Sequence, residues 1–273
     1  MSKNKVTIFL ITINSPQYQK TLKSIEENIS KTSFFSLEII NNISPVSEAC
    51  NQMIEKCTTP FFIQLDEDMI LDNGMLELML STMESAVETN SKICQYVFRL
   101  RDNDLGNILG IKIYNYNIIK NYRWQNEISS DRFLNLELKE DGYEVKVFGG
   151  KDDTVGTHAL HRTSFELFLK NITIGNKVKS QATSSDMKHF INMYTKSCLS
   201  MNTEDSFYRL AGLYHGLTNV IEENFTAYPV DTFSKLDNFF KLLEPNFYKN
   251  DILLYEKKVN ESCIQPTSAT DLS

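Results

Sequence analysis

Over its first third the chain alternates between two hydrophobic rhythms. Val6 to Ile13 is β-branched and apolar on both faces, the pattern of a strand buried inside a parallel sheet. Asn14-Ser15-Pro16 then supplies a helix start, with Ser15 as N-cap and Pro16 in the first turn, and Tyr18, Leu22, Ile25 and Ile29 recur at helical spacing. A short strand at Leu37 to Ile40 runs into Asn41-Asn42. Ser44-Pro45 opens a second helix whose apolar face is Ala49, Cys50, Met53, Ile54 and Cys57. Phe61 to Leu65 reads as a third buried strand, followed by three acids, Asp66-Glu67-Asp68. After Asp72 a third helix carries Met75, Leu76, Met79, Leu80 and Met83 on one side. Strands alternating with helices of this length imply a parallel sheet with right-handed crossovers, which brings Thr12, Asn14, Asn41 and the acidic triplet to one edge.

The middle of the chain is α+β in character. Ile93 to Phe98 predicts a strand, Arg101 to Asn107 a polar turn, and Ile108 to Tyr116 alternates loosely. Asp131 to Glu140 predicts a helix with Phe133, Leu134, Leu136 and Leu138 on a broad apolar face. Asp141-Gly142 ends it before an alternating strand, Tyr143 to Phe148. Gly149 to Gly156 reads as a loop, and Gly149-Gly150-Lys151 lacks the spacing of a phosphate-binding P-loop. From Thr163 onward the pattern is mainly helical, including Thr203 to Leu217 with Phe207, Leu210, Ala211 and Tyr214 on one face. The expected organisation is a catalytic α/β region over residues 1–162, a helical extension packed on it over 163–256, and a polar, flexible tail over 257–273.

Composition narrows the function classes. A chain of 273 residues that is 41% hydrophobic and 11% aromatic can fill a sizeable core. The net charge of −7 and the lack of any Lys/Arg cluster exclude a dedicated nucleic-acid surface. The five cysteines, Cys50, Cys57, Cys94, Cys198 and Cys263, are odd in number and scattered, with no C-x-x-C, which suits a reducing cytoplasm. Val6 to Ile13 is too short for a signal or a membrane span, so any membrane contact is expected to be peripheral, at the inner face.

The acidic triplet is the chemical centre of the sequence. Carboxylates this close repel one another, and at the C-terminal end of a strand in an open α/β sheet a cation relieves the repulsion while holding an anionic phosphate. The alternative is a solvated turn in which Asp66 or Asp68 caps the next helix.

The order of features from Val6 to Arg162 resembles the family-2 inverting glycosyltransferases of the GT-A fold. The matches are Thr12 at the end of a strand, Asn41-Asn42 after the second strand, Asn51 on a helix, Asp66-Glu67-Asp68, Ser130-Asp131 opening a helix that ends at Asp141-Gly142-Tyr143, and His158. The resemblance implies a Rossmann-like α/β fold with a mainly parallel central sheet, flanking helices and a mainly helical C-terminal region. It implies transfer of a sugar from a nucleotide-diphosphate donor, a UDP-sugar by resemblance, to a glycan or lipid-linked saccharide acceptor. Thr12, Asn14, Asn41, Asn42, Asn51, Asp66 and Glu67 then line the donor site, with Asp66 on the ribose or on the metal through water. Asp68 and His158 hold Mn²⁺ or Mg²⁺, and Asp131 is the base that takes the acceptor proton. The family carries a Glu-Asp pair where this chain has Ser130-Asp131, and often an Asp where it has Asn41-Asn42.

Other assignments compete at several positions. His161 lies three residues from His158 and is an alternative ring. Asp131 or Ser130 can simply cap its helix. Glu204-Asp205 and Asp152-Asp153 are rival bases, although Asn202 or Thr203 as N-cap with acids in the first turn accounts for the former. At the level of function, the rivals are a nucleotidyltransferase and a non-catalytic binding module. The stretch from Thr12 to Gln19 lacks the glycine-rich basic loop expected of a nucleotidyltransferase.

Overall fold

The computed structural model describes residues 4–15, 17–30, 32–102, 106–126, 130–158, 164–181 and 204–218. His161, Thr163, Asn202, Thr203 and the stretch over residues 257–273 lie outside them. By its internal contacts the chain divides into two compact units, Met1–His161 and Arg162–Ser273.

The first unit is α/β. Its strands are β1 (Val6–Thr12), β2 (Phe35–Asn41), β3 (Phe61–Asp66), β4 (Met69–Leu71), β5 (Ile93–Asp102), β6 (Gly106–Asn115), β7 (Glu144–Val147) and β8 (Thr154–His158). Its helices are α1 (Tyr18–Ile29), α2 (Val46–Lys56), α3 (Met75–Thr89), the single turn α4 (Tyr116–Ile119) and α5 (Ser130–Glu140). One sheet contains all eight strands, in the order β2-β1-β3-β6-β5-β8-β4, with β7 also on β5. Four pairings are parallel, β1–β2, β1–β3, β5–β7 and β5–β8, and three antiparallel, β3–β6, β5–β6 and β4–β8.

Strand alternation sorts the core into two layers. Val6, Ile8 and Leu10 of β1 face Ile25 of α1 and Leu76, Met79, Leu80 and Met83 of α3. Phe9, Phe62 and Tyr114 pack on the other face with Ala49, Cys50 and Met53 of α2 and Leu134 and Leu138 of α5. The aromatic rings of Phe62 and Tyr114 stack there at 4.7 Å. Helices on both faces leave no room for a charged side chain in the middle of β1 or β3, so polar groups concentrate where these strands end.

Three features depart from the sequence reading. Met69 to Leu71, to which the sequence pattern assigns no element, is a strand, and it pairs antiparallel with β8, which starts inside the stretch read as a loop. The carbonyl of Ile70 comes so close that a Cβ on Gly156 would lie 2.2 Å from it, so the β4–β8 pairing requires glycine there. Only Leu134 and Leu138 of α5 are buried, one turn apart, while Phe133 and Leu136 are each 47% exposed.

In the second unit, α6 (Ser164–Gln181) and α7 (Glu204–Thr218) pack closely. A Cβ on Gly212 or Gly216 would come within 2.2 Å of the carbonyls of Phe168 and Ile172. Phe207, Leu210 and Ala211 are buried. No helix among the described residues is long and apolar enough to cross a membrane.

Candidate active site

The C-terminal ends of β1, β2 and β3 lie side by side. Thr12 pairs with Asn41 in the β1–β2 register, and Ile11 pairs with Asp66 in the β1–β3 register. Asn14 and Asn42 hold φ of 62° and 56°, the left-handed region that asparagine tolerates better than most residues. Asn14 Nδ2 donates to Asn41 Oδ1 at 3.0 Å, and the Asn42 N–H donates to the Thr12 carbonyl at 2.8 Å. Asn14, Asn41 and Asn42 are all exposed, so this rim presents amides to solvent.

The acidic triplet straddles the end of β3: Asp66 is its last residue, and Glu67 and Asp68 form the turn into β4. Glu67 turns back onto the loop between β1 and α1. Its Oε2 accepts from Thr12 Oγ1 and from the N–H groups of Ile13 (3.2 Å) and Ser15 (2.9 Å), and its carbonyl accepts from Thr21 Oγ1 at 2.6 Å. Glu67 is thereby engaged in fixing the loop. Asp66 and Asp68 fall on the other side. The Asp66 carboxyl is pushed up to about 6, first by desolvation, then by the charges of Asp68 and Asp131, against the opposing pull of Lys112 and His158.

Three strands converge on His158. In register it pairs with Met69 of β4 and with Asp102 of β5. Its Nδ1 lies 2.6 Å from Asp102 Oδ2, and its Nε2 lies 3.4 Å from Asp68 Oδ2. A carboxylate only accepts, so Nδ1–H donates to Asp102, and Nε2 is the ring nitrogen turned toward Asp68. Among the described residues no cluster of three His, Cys, Asp or Glu side chains is arranged to hold a metal by itself. The donor set nevertheless fits a hard divalent cation bound through one carboxylate and one imidazole, with the remaining positions left to substrate phosphates and water.

Asp131 opens α5 and is held on both oxygens. Lys112 Nζ, from the middle of β6, donates to Oδ2, and Trp124 Nε1 donates to Oδ1 at 2.9 Å. Desolvation would raise its pKa, but the Lys112 charge and the hydrogen bonds from Lys112 and Trp124 outweigh it and hold the carboxyl below its ordinary range. Asp131 therefore stays ionised. Trp124 is held in turn by Asn51, whose Nδ2 donates to the Trp124 carbonyl at 3.0 Å and whose Oδ1 accepts from the Trp124 N–H at 2.9 Å. Both polar atoms of Asn51 are thus turned to the loop that carries Trp124, whose indole donates to Asp131.

Two of the rival bases, Asp153 and Asp205, have local partners. Asp153 Oδ2 accepts from the Gly150 N–H at 2.7 Å, closing a turn, and Asp205 Oδ1 accepts from Ser164 Oγ at 3.3 Å. An open groove of about 600 Å³ beside α5 and β7, lined by residues such as Arg132, Leu136 and Tyr143, includes none of the groups above.

Lys112, Trp124 and Asp102 were not singled out from the sequence, although two of them carry a signal. A lone lysine inside Ile111-Lys112-Ile113-Tyr114 calls for a buried counter-charge, and Trp124 is the one tryptophan of the chain.

No protein-family model matches the chain, and no curated protein matches its sequence. Among solved structures it is similar to TarS 1–349 of S. aureus, at 10% identity over 95% of this chain and 89% of that one, with a TM-score of 0.45. It is also similar to the mannosyltransferase PcManGT from Pyrobaculum calidifontis in complex with GDP-Man and Mn²⁺, at 8% identity over 99% and 89%, with a TM-score of 0.48. Over 55% of its length it is similar to CMP:2-keto-3-deoxy-manno-octonic acid synthetase complexed with CTP, at 12% identity over 94% of that chain, with a TM-score of 0.36. At these identities and TM-scores the likeness assigns no substrate, metal or residue role to this chain.

Proposed function

We propose that the protein is a metal-dependent inverting glycosyltransferase that moves one sugar from a nucleotide-diphosphate donor to a saccharide or lipid-linked acceptor. One observation carries the reading. Asp68, just past the end of β3, and His158 Nε2, at the end of β8, face each other at 3.4 Å, a carboxylate–imidazole pair next to the rim where Thr12, Asn41 and Asp66 end their strands.

Asp68 and His158 would hold Mn²⁺ or Mg²⁺. When bound, the cation offsets charge on the departing diphosphate, which is greater in the transition state than in the ground state. The exposed amides of Asn14, Asn41 and Asn42 donate and accept toward the nucleoside, and Asp66 faces the ribose. Glu67 and Asn51 act one step back, Glu67 by fixing the loop after Thr12 and Asn51 by fixing Trp124.

Asp131 is the base. Lys112 and Trp124 hold its two oxygens, which fixes the plane of the carboxylate while part of it remains open to solvent; a lone pair there accepts the proton of the acceptor hydroxyl as that oxygen attacks the anomeric carbon. Its lowered pKa keeps it deprotonated across the working range and makes it a weaker base in exchange for constant readiness. The pH–rate profile should therefore show no acidic limb from this group near neutrality.

The test is a screen of nucleotide sugars with Mn²⁺ that follows nucleoside diphosphate release and reads the anomeric configuration of the product by NMR. Transfer with inversion supports the reading. Release of pyrophosphate from a nucleoside triphosphate and a sugar phosphate would support nucleotidyl transfer instead.

A further inference from the structure

We infer that Asp102 is a positioning residue that sets the tautomer and direction of His158 for cation binding, an inference that rests on the cation reading of the site. Asp102 is the last residue of β5, and its side chain is only 3% exposed. A carboxylate this buried is stable only when its oxygens are satisfied by donors, and here the Nδ1–H of His158 supplies one at 2.6 Å.

The consequence falls on the other ring nitrogen. With Nδ1–H donating to Asp102, Nε2 is the ring nitrogen left for a ligand, and it faces Asp68 Oδ2 at 3.4 Å. A divalent cation needs a lone pair on Nε2 and an oxygen of Asp68, and these two atoms face the same space. Asp102 thus acts on a metal site it never touches: it fixes the direction of the ring and selects the tautomer whose Nε2 can ligate.

Strand alternation separates this role from a purely structural one. Arg101, next to Asp102 but on the opposite face of β5, donates to Thr154 Oγ1 at 2.8 Å, Thr157 Oγ1 at 3.1 Å and Asp72 Oδ1 at 2.8 Å. That clamp holds β5 to β8 and to the turn before α3 without help from Asp102. Replacing Asp102 should therefore leave the strands in register while releasing the imidazole.

The experiment uses the full chain with Mn²⁺ as the only added ligand. Free Mn²⁺ is followed by electron paramagnetic resonance for the parent, Asp102→Asn and Asp102→Ala, and the His158 ring nitrogens are read by ¹⁵N NMR without metal. In the parent, His158 should show the Nδ1–H tautomer. Asp102→Ala should lose that preference and weaken Mn²⁺ binding by roughly 10–100-fold. Asp102→Asn, whose amide oxygen still accepts from Nδ1–H, should keep the tautomer and lose less affinity. If the parent binds Mn²⁺ and both folded variants bind it equally well, Asp102 is a structural carboxylate and the inference is overturned alone. If the parent binds no Mn²⁺ and gains none on adding UDP, the cation reading itself fails and the inference falls with it. Should Asp102→Ala not fold, Asp102→Asn decides by its tautomer and its affinity together.

Discussion

Asp131 and Lys112 give the account its most quantitative stability prediction. The Lys112 side chain is 14% exposed and that of Asp131 41%, so the pair is neither dry nor fully solvated. Removing one partner of a fully buried pair costs about 3–5 kcal/mol, and exposed pairs are worth under about 1 kcal/mol. Asp131→Asn should fall between, at about 1–3 kcal/mol. The amide can accept from Lys112 or from Trp124 but must turn its NH₂ toward the other donor. Lys112→Met removes the buried ammonium while its stem packs on, and should cost less. The double variant should recover part of the Asp131→Asn loss, since no unpaired ammonium remains, giving a coupling of about 1–2 kcal/mol. Urea unfolding followed by the fluorescence of Trp124 measures this directly. The chain has no other tryptophan, and this one donates to Asp131. With a urea m-value of about 1–3 kcal/mol/M, the predicted loss moves the midpoint by roughly 1 M. Turnover should fall by about 10²–10⁴-fold in Asp131→Asn and should not return in the double variant. Additive stabilities would show that the two side chains do not interact in solution, and a double variant with restored turnover would place the base elsewhere.

The same pair predicts the pH dependence of that stability difference. The folded pKa of Asp131 is lowered, so its contribution is fully present above the unfolded value of about 3.9 and is lost as pH falls through the folded value. The midpoint gap between parent and Asp131→Asn should persist from pH 8 to about pH 4, somewhat narrower above about pH 6 where ionised Asp66 repels Asp131, and should close only below about pH 4; a gap that closes as pH falls through 6 would contradict the lowered pKa. Glu67→Gln loses the charge on which three donors converge, so the loop after β1 should loosen, raising the KM for donor by roughly 10-fold with kcat little changed; an unchanged KM would show that the loop holds itself. Gly156→Ala places a Cβ against the Ile70 carbonyl and should cost about 1–3 kcal/mol in urea unfolding together with the loss of Mn²⁺ binding, because β4 carries the chain from Asp68 to its contact with β8. Glu204→Gln and Asp205→Asn should each leave turnover nearly unchanged, and an inactive variant there would move the base to α7.

Much of the first unit was legible because long elements repeat their period. The two-sided apolar run of β1 and the helical stripes of α1, α2 and α3 each offer enough residues for a rhythm to show. The acidic triplet was legible only as a whole at the end of a strand; that Glu67 turns back onto the loop after β1 rests on partners distant in the chain. β4 was not, because three residues display no period and its partner β8 lies more than eighty residues along the chain. Asp102 was hidden for a related reason. Next to Arg101 at the end of a strand it reads as a solvated turn, and only the β5–β8 register shows that alternation exposes the arginine and buries the acid. Asn51 was placed among donor-site residues by resemblance, whereas its amide is spent on the Trp124 backbone, a partner 73 residues away that no local pattern announces.

The central claim is that the carboxylate–imidazole pair at the end of β3 binds a cation that in turn binds a nucleotide diphosphate. Its most direct test is the melting temperature of the full chain and of Asp68→Ala with UDP, GDP, CDP and ADP, each with and without Mn²⁺. At a ligand concentration 100 times Kd the native state gains about 2.7 kcal/mol, which for a domain of this size raises Tm by roughly 5–10 °C. The account predicts such a rise for at least one nucleotide with Mn²⁺, little without it, and none for Asp68→Ala, whose Tm without ligand should match the parent. A rise of equal size without Mn²⁺, or one that survives in Asp68→Ala, would contradict it.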